Sequence, residues 1–171
     1  MRSKLFVILS LTLLMCAAAI AQKKAVIASP DIVVKNLYAA HNGKSGPFFQ
    51  NKSRARIDLY FTKELGDMIW KDIVTTEPGT VGALDFDPLY SAQDVHISRF
   101  KIKKPMYGEG NLNVADVEVT FRNMSTNETV LFRLERGKNK KWLIDNISYP
   151  SNGSSLREVY TLNNQPSGSK N

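Results

Sequence analysis

The side chains best suited to chemistry lie between Ala83 and Asp94 and at one histidine well upstream. That stretch carries Asp85, Asp87 and Asp94, with Tyr90 and Gln93 between them and Leu84, Phe86 and Leu89 as apolar anchors. His41 supplies an imidazole at the end of an expected first helix. An imidazole set beside a carboxylate is suited to general acid–base work, and loops commonly carry function. The candidate binding set is therefore His41, Asp85, Asp87, Tyr90, Gln93 and Asp94. The same residues fit a plainer role, in which carboxylates cap backbone N–H groups and the imidazole merely satisfies a hydrogen bond. The plainer role is the default, so no residue is assigned as catalytic.

Other chemistries find little support. Calcium takes six to eight oxygens, usually from a longer acidic pattern with a required glycine, which Asp85-Phe86-Asp87-Pro88 does not supply. His41 and His96 are the only histidines, too few for a zinc motif. Gly-x-Ser-x-Gly is absent, and Asn152-Gly153-Ser154-Ser155 is turn chemistry. Gly108-Glu109-Gly110 suggests a flexible bend rather than a phosphate cradle. No metal and no cofactor are expected. Arg99, Lys101, Lys103 and Lys104 form a basic row and Lys138, Lys140 and Lys141 a basic turn, most simply the solvated side of a sheet balanced by Glu118 and Glu135. Five Asn-x-Ser/Thr triplets, at Asn51, Asn123, Asn127, Asn146 and Asn152, are coincidence in an asparagine-rich chain.

These residues must be delivered somewhere and held in place, and the first 21 residues address delivery. Arg2 and Lys4 precede the apolar run Leu5 to Met15, and Ala19-Ile20-Ala21 offers small residues for cleavage before Gln22. This predicts a secretory signal peptide over 1–21, too short to span a membrane permanently. Cys16, the sole cysteine, raises the alternative of a lipid anchor, but Leu13-Leu14-Met15 lacks the small residue that such a site wants before its cysteine. Cleavage leaves 150 residues, enough for a single domain over 22–162 with a polar tail at 163–171 expected to be disordered. The formal charge of +7 falls to +5 without the leader. An exported basic domain does not suggest nucleic acid as partner, and no membrane span is expected.

The positioning elements follow from periodicity. Ser29 caps a helix with Pro30 at its first position and Asp31 in its first turn. It runs to about His41, ends at Asn42-Gly43, and buries Val33, Leu37 and Ala40, with Val34, Tyr38 and His41 beside them. A second helix is expected from Ser53 to Phe61. A third, capped by Thr62, carries Leu65, Met68, Ile69 and Ile73 and closes at Glu77-Pro78-Gly79. From Val95 the period becomes two. Phe100 and Ile102, then Ala115, Val117, Val119 and Phe121, then Val130, Phe132 and Leu134 mark the buried face. Lys141 to Tyr149 is the last strand, with Trp142 and Ile144 inward. Hairpin turns fall at 123–127 and 137–140, and a short helix or edge segment at Ser155 to Leu162. The fold class is α+β: N-terminal helices packed on one face of a curved antiparallel sheet.

Several stretches together resemble a known family. Leu37-Tyr38-Ala39-Ala40-His41, Gly46-Pro47-Phe48-Phe49, Leu59-Tyr60-Phe61-Thr62, Gly82-Ala83-Leu84-Asp85-Phe86-Asp87-Pro88-Leu89 and Ala92-Gln93-Asp94 are similar to segments of the domain-of-unknown-function family 3828. These are small exported bacterial proteins with a nuclear-transport-factor-like, cystatin-like cone. The resemblance spans about residues 30–150. It implies that cone, a periplasmic or secreted location, and no particular activity. In such a cone the linker between helices and sheet lies near the mouth of the cavity, and His41 approaches the same mouth.

The expectation is thus a non-catalytic binding or protein-interaction module of the bacterial envelope, with an unknown small ligand or envelope protein as partner. Two alternatives stand beside it. One is a small cavity enzyme, a hydrolase or isomerase using His41 with an aspartate of the 85–94 loop. The other is an inhibitor or immunity protein.

Overall fold

The computed structural model describes residues 28–41, 46–50 and 52–163. The expected signal peptide with Cys16, the Asn42-Gly43 helix end, the Asn51 triplet and tail residues 164–171 lie outside the described residues. Among the described residues the order is α1 (Pro30–Ala40), α2 (Ala55–Asp58), α3 (Lys63–Thr75), β1 (Ile97–Ile102), β2 (Met106–Gly108), β3 (Asn111–Asn123), β4 (Thr126–Arg136), β5 (Trp142–Tyr149), β6 (Ser154–Ser155) and α4 (Leu156–Asn163). No helix among them is long and apolar enough to cross a membrane.

The class is α+β with one six-stranded antiparallel sheet, ordered β1-β3-β4-β5-β6, with β2 also on β3. The alternation in β3 and β4 sends Ala115, Val117, Val119, Phe121, Val130, Phe132 and Leu134 into one buried cluster. Val33, Val34, Leu37 and Tyr38 of α1, Ile57 of α2, Leu65 and Ile69 of α3, and Leu156 and Tyr160 of α4 join the same cluster. The other face of the sheet keeps its charges in water, where Arg133 pairs with Asp116 at 3.1 Å and Lys103 with Glu118 at 2.5 Å.

Local details differ from the periodicity in five places. Ser29 has the extended backbone of an N-cap, but its hydroxyl donates to Asp31 Oδ1 at 2.6 Å instead of accepting from a helix amide. Thr62 does cap α3, accepting from the Leu65 amide at 3.5 Å. The second helix is a single turn, not a run from Ser53 to Phe61, because its C-terminal side pairs with the sheet. There the Ile144 amide donates to the Tyr60 carbonyl at 2.7 Å, and the Thr62 amide to the Ile144 carbonyl at 2.9 Å. In β1 the pairing jumps from Ser98–Arg122 to Lys101–Thr120, and Arg99 takes φ +53°. Two residues then oppose one, a β-bulge that interrupts the alternation and leaves Phe100 42% exposed. The Gly108-Glu109-Gly110 bend is the turn of a hairpin, with Gly110 at φ +70° and the unforeseen β2 before it.

The fifth departure shapes the region above the core. Register slips between Arg133 and Leu134, with Arg133 facing Asn146 and Leu134 facing Ile144. Asp145 is the extra residue. Trp142 and Ile144 are buried before it, Ile147 and Tyr149 after it. The switch of parity turns Tyr149 inward beneath the Ala83–Asp94 stretch. It also pushes the Asp145 carboxylate out to accept from Thr62 Oγ1 at 3.0 Å and from Arg157.

Candidate functional site

The connection from α3 to β1 runs about twenty residues, and a loop that long needs its own supports. It has several. At its start the Ala83 amide donates to Asp72 Oδ1 at 2.8 Å. Gly82 leaves room for that contact, since a Cβ there would lie 2.7 and 2.9 Å from the Asp72 oxygens. In the middle, the Asp87 amide donates to the Ala92 carbonyl at 2.8 Å and the Tyr90 amide to the Asp87 carbonyl at 3.1 Å, with Ser91 at φ +50° in the turn. Two phenols hold the loop from below. Tyr38 donates to the Leu89 carbonyl at 2.7 Å and Tyr149 to the Pro88 carbonyl at 3.1 Å. At its end, Asn123 Nδ2 donates to the Asp94 carbonyl at 2.9 Å, while Asn123 Oδ1 accepts the His96 amide at 2.8 Å.

Asp87 is the centre of this network. One oxygen accepts the Leu89 amide at 2.9 Å, and the other lies 2.7 Å from His41 Nε2. His41 follows the last turn of α1 with an extended backbone (φ −96°, ψ 126°), which swings its ring off the helix toward the loop. An ionised carboxylate only accepts, so the bond places a proton on Nε2. Nδ1 is buried without a hydrogen-bond partner. The pair is nearly dry, with the His41 side chain 1% exposed and that of Asp87 13%. The rings of Phe49 and Phe48 stand 5.3 and 6.0 Å from the imidazole, and that of Tyr90 6.4 Å.

Burial, then the neighbouring Asp87 charge, raises the Tyr90 phenol above its ordinary value. Burial, then Tyr90 and Asp87, raises Tyr38 well above it, and burial with Asp87 does the same to Tyr149. All three stay protonated at neutral pH and keep a hydroxyl proton to donate.

Beside this wall opens a cleft of about 620 Å³. All six sequence candidates border it: His41, Asp85, Asp87, Tyr90, Gln93 and Asp94. The apolar part of the lining comes from Phe49, Val81, Leu84, Phe86 and Val95. The candidates do different things there. His41 and Asp87 are bonded to each other and to the loop. Asp85 is exposed, and neither it nor Gln93 nor Asp94 spends its side chain on a hydrogen bond or ion pair among the described residues. Tyr90 packs edge-on against Tyr38 and Phe121, each 5.5 Å away, which presents it as a rigid wall.

Sequence reasoning missed the supports. Tyr38 was legible only as core, and Tyr149 and Asp72 carried no signal, because their partners are distant in the chain. The cleft lining mixes six polar or ionisable residues with five apolar ones. Among the described residues no three of His, Cys, Asp or Glu converge closely enough to hold a metal ion. No family model, curated protein or solved structure matches the chain.

Proposed function

We propose that this chain is an exported, non-catalytic binding module of the bacterial envelope, a nuclear-transport-factor-like cone of the domain-of-unknown-function family 3828. Its ligand enters the cleft beside the Ala83–Asp94 loop. The leader-like segment Arg2 to Ala21 supports export. Helices on one face of the antiparallel sheet, and the meeting of the α1 end with the helix-to-sheet linker, support the cone.

One observation carries the binding role: the division of labour among the six cleft residues. The nitrogen and oxygens of the His41–Asp87 pair are committed to the wall, and the remaining nitrogen is sealed in it. A general base needs an atom within reach of substrate, and the His41 imidazole, 1% exposed with Nε2 bonded to Asp87 and Nδ1 buried, offers none. Asp85, Gln93 and Asp94 border the cleft with uncommitted side chains.

A fragment screen followed by amide NMR shifts tests this. The expected hits perturb Asp85, Tyr90 and Gln93 together. Hits confined to the neighbouring hollow of about 410 Å³, formed by Asp72, Ile73 and Pro78, would overturn the assignment. Turnover of an ester or isomerisable substrate that disappears in a folded His41→Asn variant would establish the acid–base enzyme instead. The exported protein should have an intact mass beginning at Gln22, and a diacylglyceryl adduct on Cys16 would contradict that cleavage.

A further inference from the structure

β4 covers one side of β3, while β1 and β2 share the other side in line. Ile97 to Ile102 runs against Asn123 to Val119, and Met106 to Gly108 against Asp116 to Asn111. Among the described residues no strand pairs with the far edge of either. The hydrogen bonds of this edge show which backbone groups face outward. The Met124 amide donates to the His96 carbonyl at 3.1 Å, and the Lys103 amide to the Glu118 carbonyl at 2.8 Å. Antiparallel alternation then turns the N–H and C=O of Ile97 and Ile102 away from β3. An open edge of this kind is a template for another strand. Its side chains are sorted by face. Phe100 and Tyr107 lie on the core side, 4.9 Å from the Tyr38 ring and 6.0 Å from the Trp142 ring, yet they are 42% and 47% exposed. Lys101 sits opposite Thr120 and Lys103 pairs with Glu118, both on the wet side. The run from Ile97 to Gly108 carries Arg99, Lys101, Lys103 and Lys104 and no acid. Of these cations Lys103 alone has an ion-pair partner among the described residues.

We propose that this edge takes up an extended, acidic segment of a partner protein as an added strand. The outward groups of Ile97 and Ile102 supply the backbone pairing, Phe100 and Tyr107 the apolar contact, and Arg99, Lys101 and Lys104 the charge. Successive residues of a strand face opposite sides, so the segment that fits alternates acids with apolar residues. Charge argues against the other occupants. A second copy aligned edge to edge would set cations against cations, and like charges directly opposite are destabilising. Residues 1–27, 42–45, 51 and 164–171, outside the described set, hold no Asp or Glu, so no further segment of this chain complements the edge. Lysines on an edge deter stray pairing. Here they reject neutral and basic strands and admit an acidic one. An anionic lipid surface would meet the lysines but leave the outward amides unused. No residue of this run lines the cleft, so the proposal stands apart from the binding role assigned there.

The test is an NMR titration of the mature chain, read as amide shifts and hydrogen exchange, with a capped octapeptide of alternating Glu and Val. Binding should slow exchange at the Ile97 and Ile102 amides. The same peptide with Pro in place of every Val keeps its charge but cannot form a regular strand, and it should bind roughly tenfold more weakly or not at all. The variant Lys101→Gln/Lys104→Gln removes two side chains that hold no ion pair, so its melting temperature should not move. It should weaken the Glu–Val peptide roughly tenfold, the effect of losing two exposed charge contacts. Equal binding of the Pro peptide, or binding of the Glu–Val peptide that leaves both amides unprotected, would overturn the added strand. Tighter binding to phosphatidylglycerol vesicles, again without protection of these amides, would overturn it in favour of a lipid surface. Absence of binding by the Glu–Val peptide at millimolar concentration would overturn it as well.

Discussion

Two phenol hydroxyls illustrate how single atoms set the loop. Tyr149 donates to Pro88 and Tyr38 to Leu89, and both tyrosines are buried. Tyr149→Phe leaves the Pro88 carbonyl without its donor in a dry place. The expected loss is about 1–3 kcal/mol in urea unfolding, and a loss near zero would mean that the loop is not tethered there. The proximity of His41 to the acidic stretch was expected only from the resemblance to a cone fold, which sets both at one mouth; no local signal announces a contact across 46 residues. Which aspartate would meet His41 was not legible. Asp85 and Asp87 look alike in sequence, and the choice depends on the turn in which Asp87 accepts the Leu89 amide. The tyrosine tethers were hidden for a different reason: their partners lie 51 and 61 residues away.

At the scale of elements, β3 and β4 follow their alternation closely because one face is buried and the other wet. Phe132→Ala should therefore cost about 3–5 kcal/mol. Arg133→Ala, which breaks only the exposed pair with Asp116, should cost less than about 1 kcal/mol. Equal losses in denaturant titrations would mean that the register is wrong. Strand parity was not legible where the backbone carries an extra residue. The bulges at Arg99 and Asp145 shift the cross-strand register where no local pattern announces it. Gly82 is a similar case, ordinary in sequence and confined in space. Gly82→Ala would bring its Cβ to 2.6 Å from Thr76 Oγ1 and crowd the Asp72 carboxylate. Asp72 should then release the Ala83 amide, which hydrogen exchange would report as faster exchange at Ala83. Unchanged exchange would show that Asp72 is not the anchor.

Across the whole molecule, one cluster joins helices, sheet and loop, and the buried phenols make that union sensitive to alkali. Tyr38, Tyr90, Tyr149 and Tyr160 all titrate above their ordinary value, chiefly through burial. The unfolded chain loses these protons near pH 10 while the folded chain keeps them. Their contribution is therefore complete below about pH 10 and is lost as the pH rises further. The urea midpoint should fall between pH 9 and 11, less steeply in Tyr38→Phe, and a rising midpoint would contradict the burial of these groups. The α+β class and the order of its longer elements were legible from periodicity, without the short β2 and β6, whereas the way the loop closes onto α1 rests on contacts between distant segments. That closure is the central claim: the His41–Asp87 pair holds the cleft wall, and the Asp85 side chain takes no part in holding it. Unfolding free energies of Asp87→Ala and Asp85→Ala, measured side by side, test it most directly. Asp87→Ala should lose at least about 2 kcal/mol, since it strands the Leu89 amide and the His41 Nε2 proton. Asp85→Ala should stay within about 0.5 kcal/mol of the parent, and equal losses, or a larger loss at Asp85, would contradict the account.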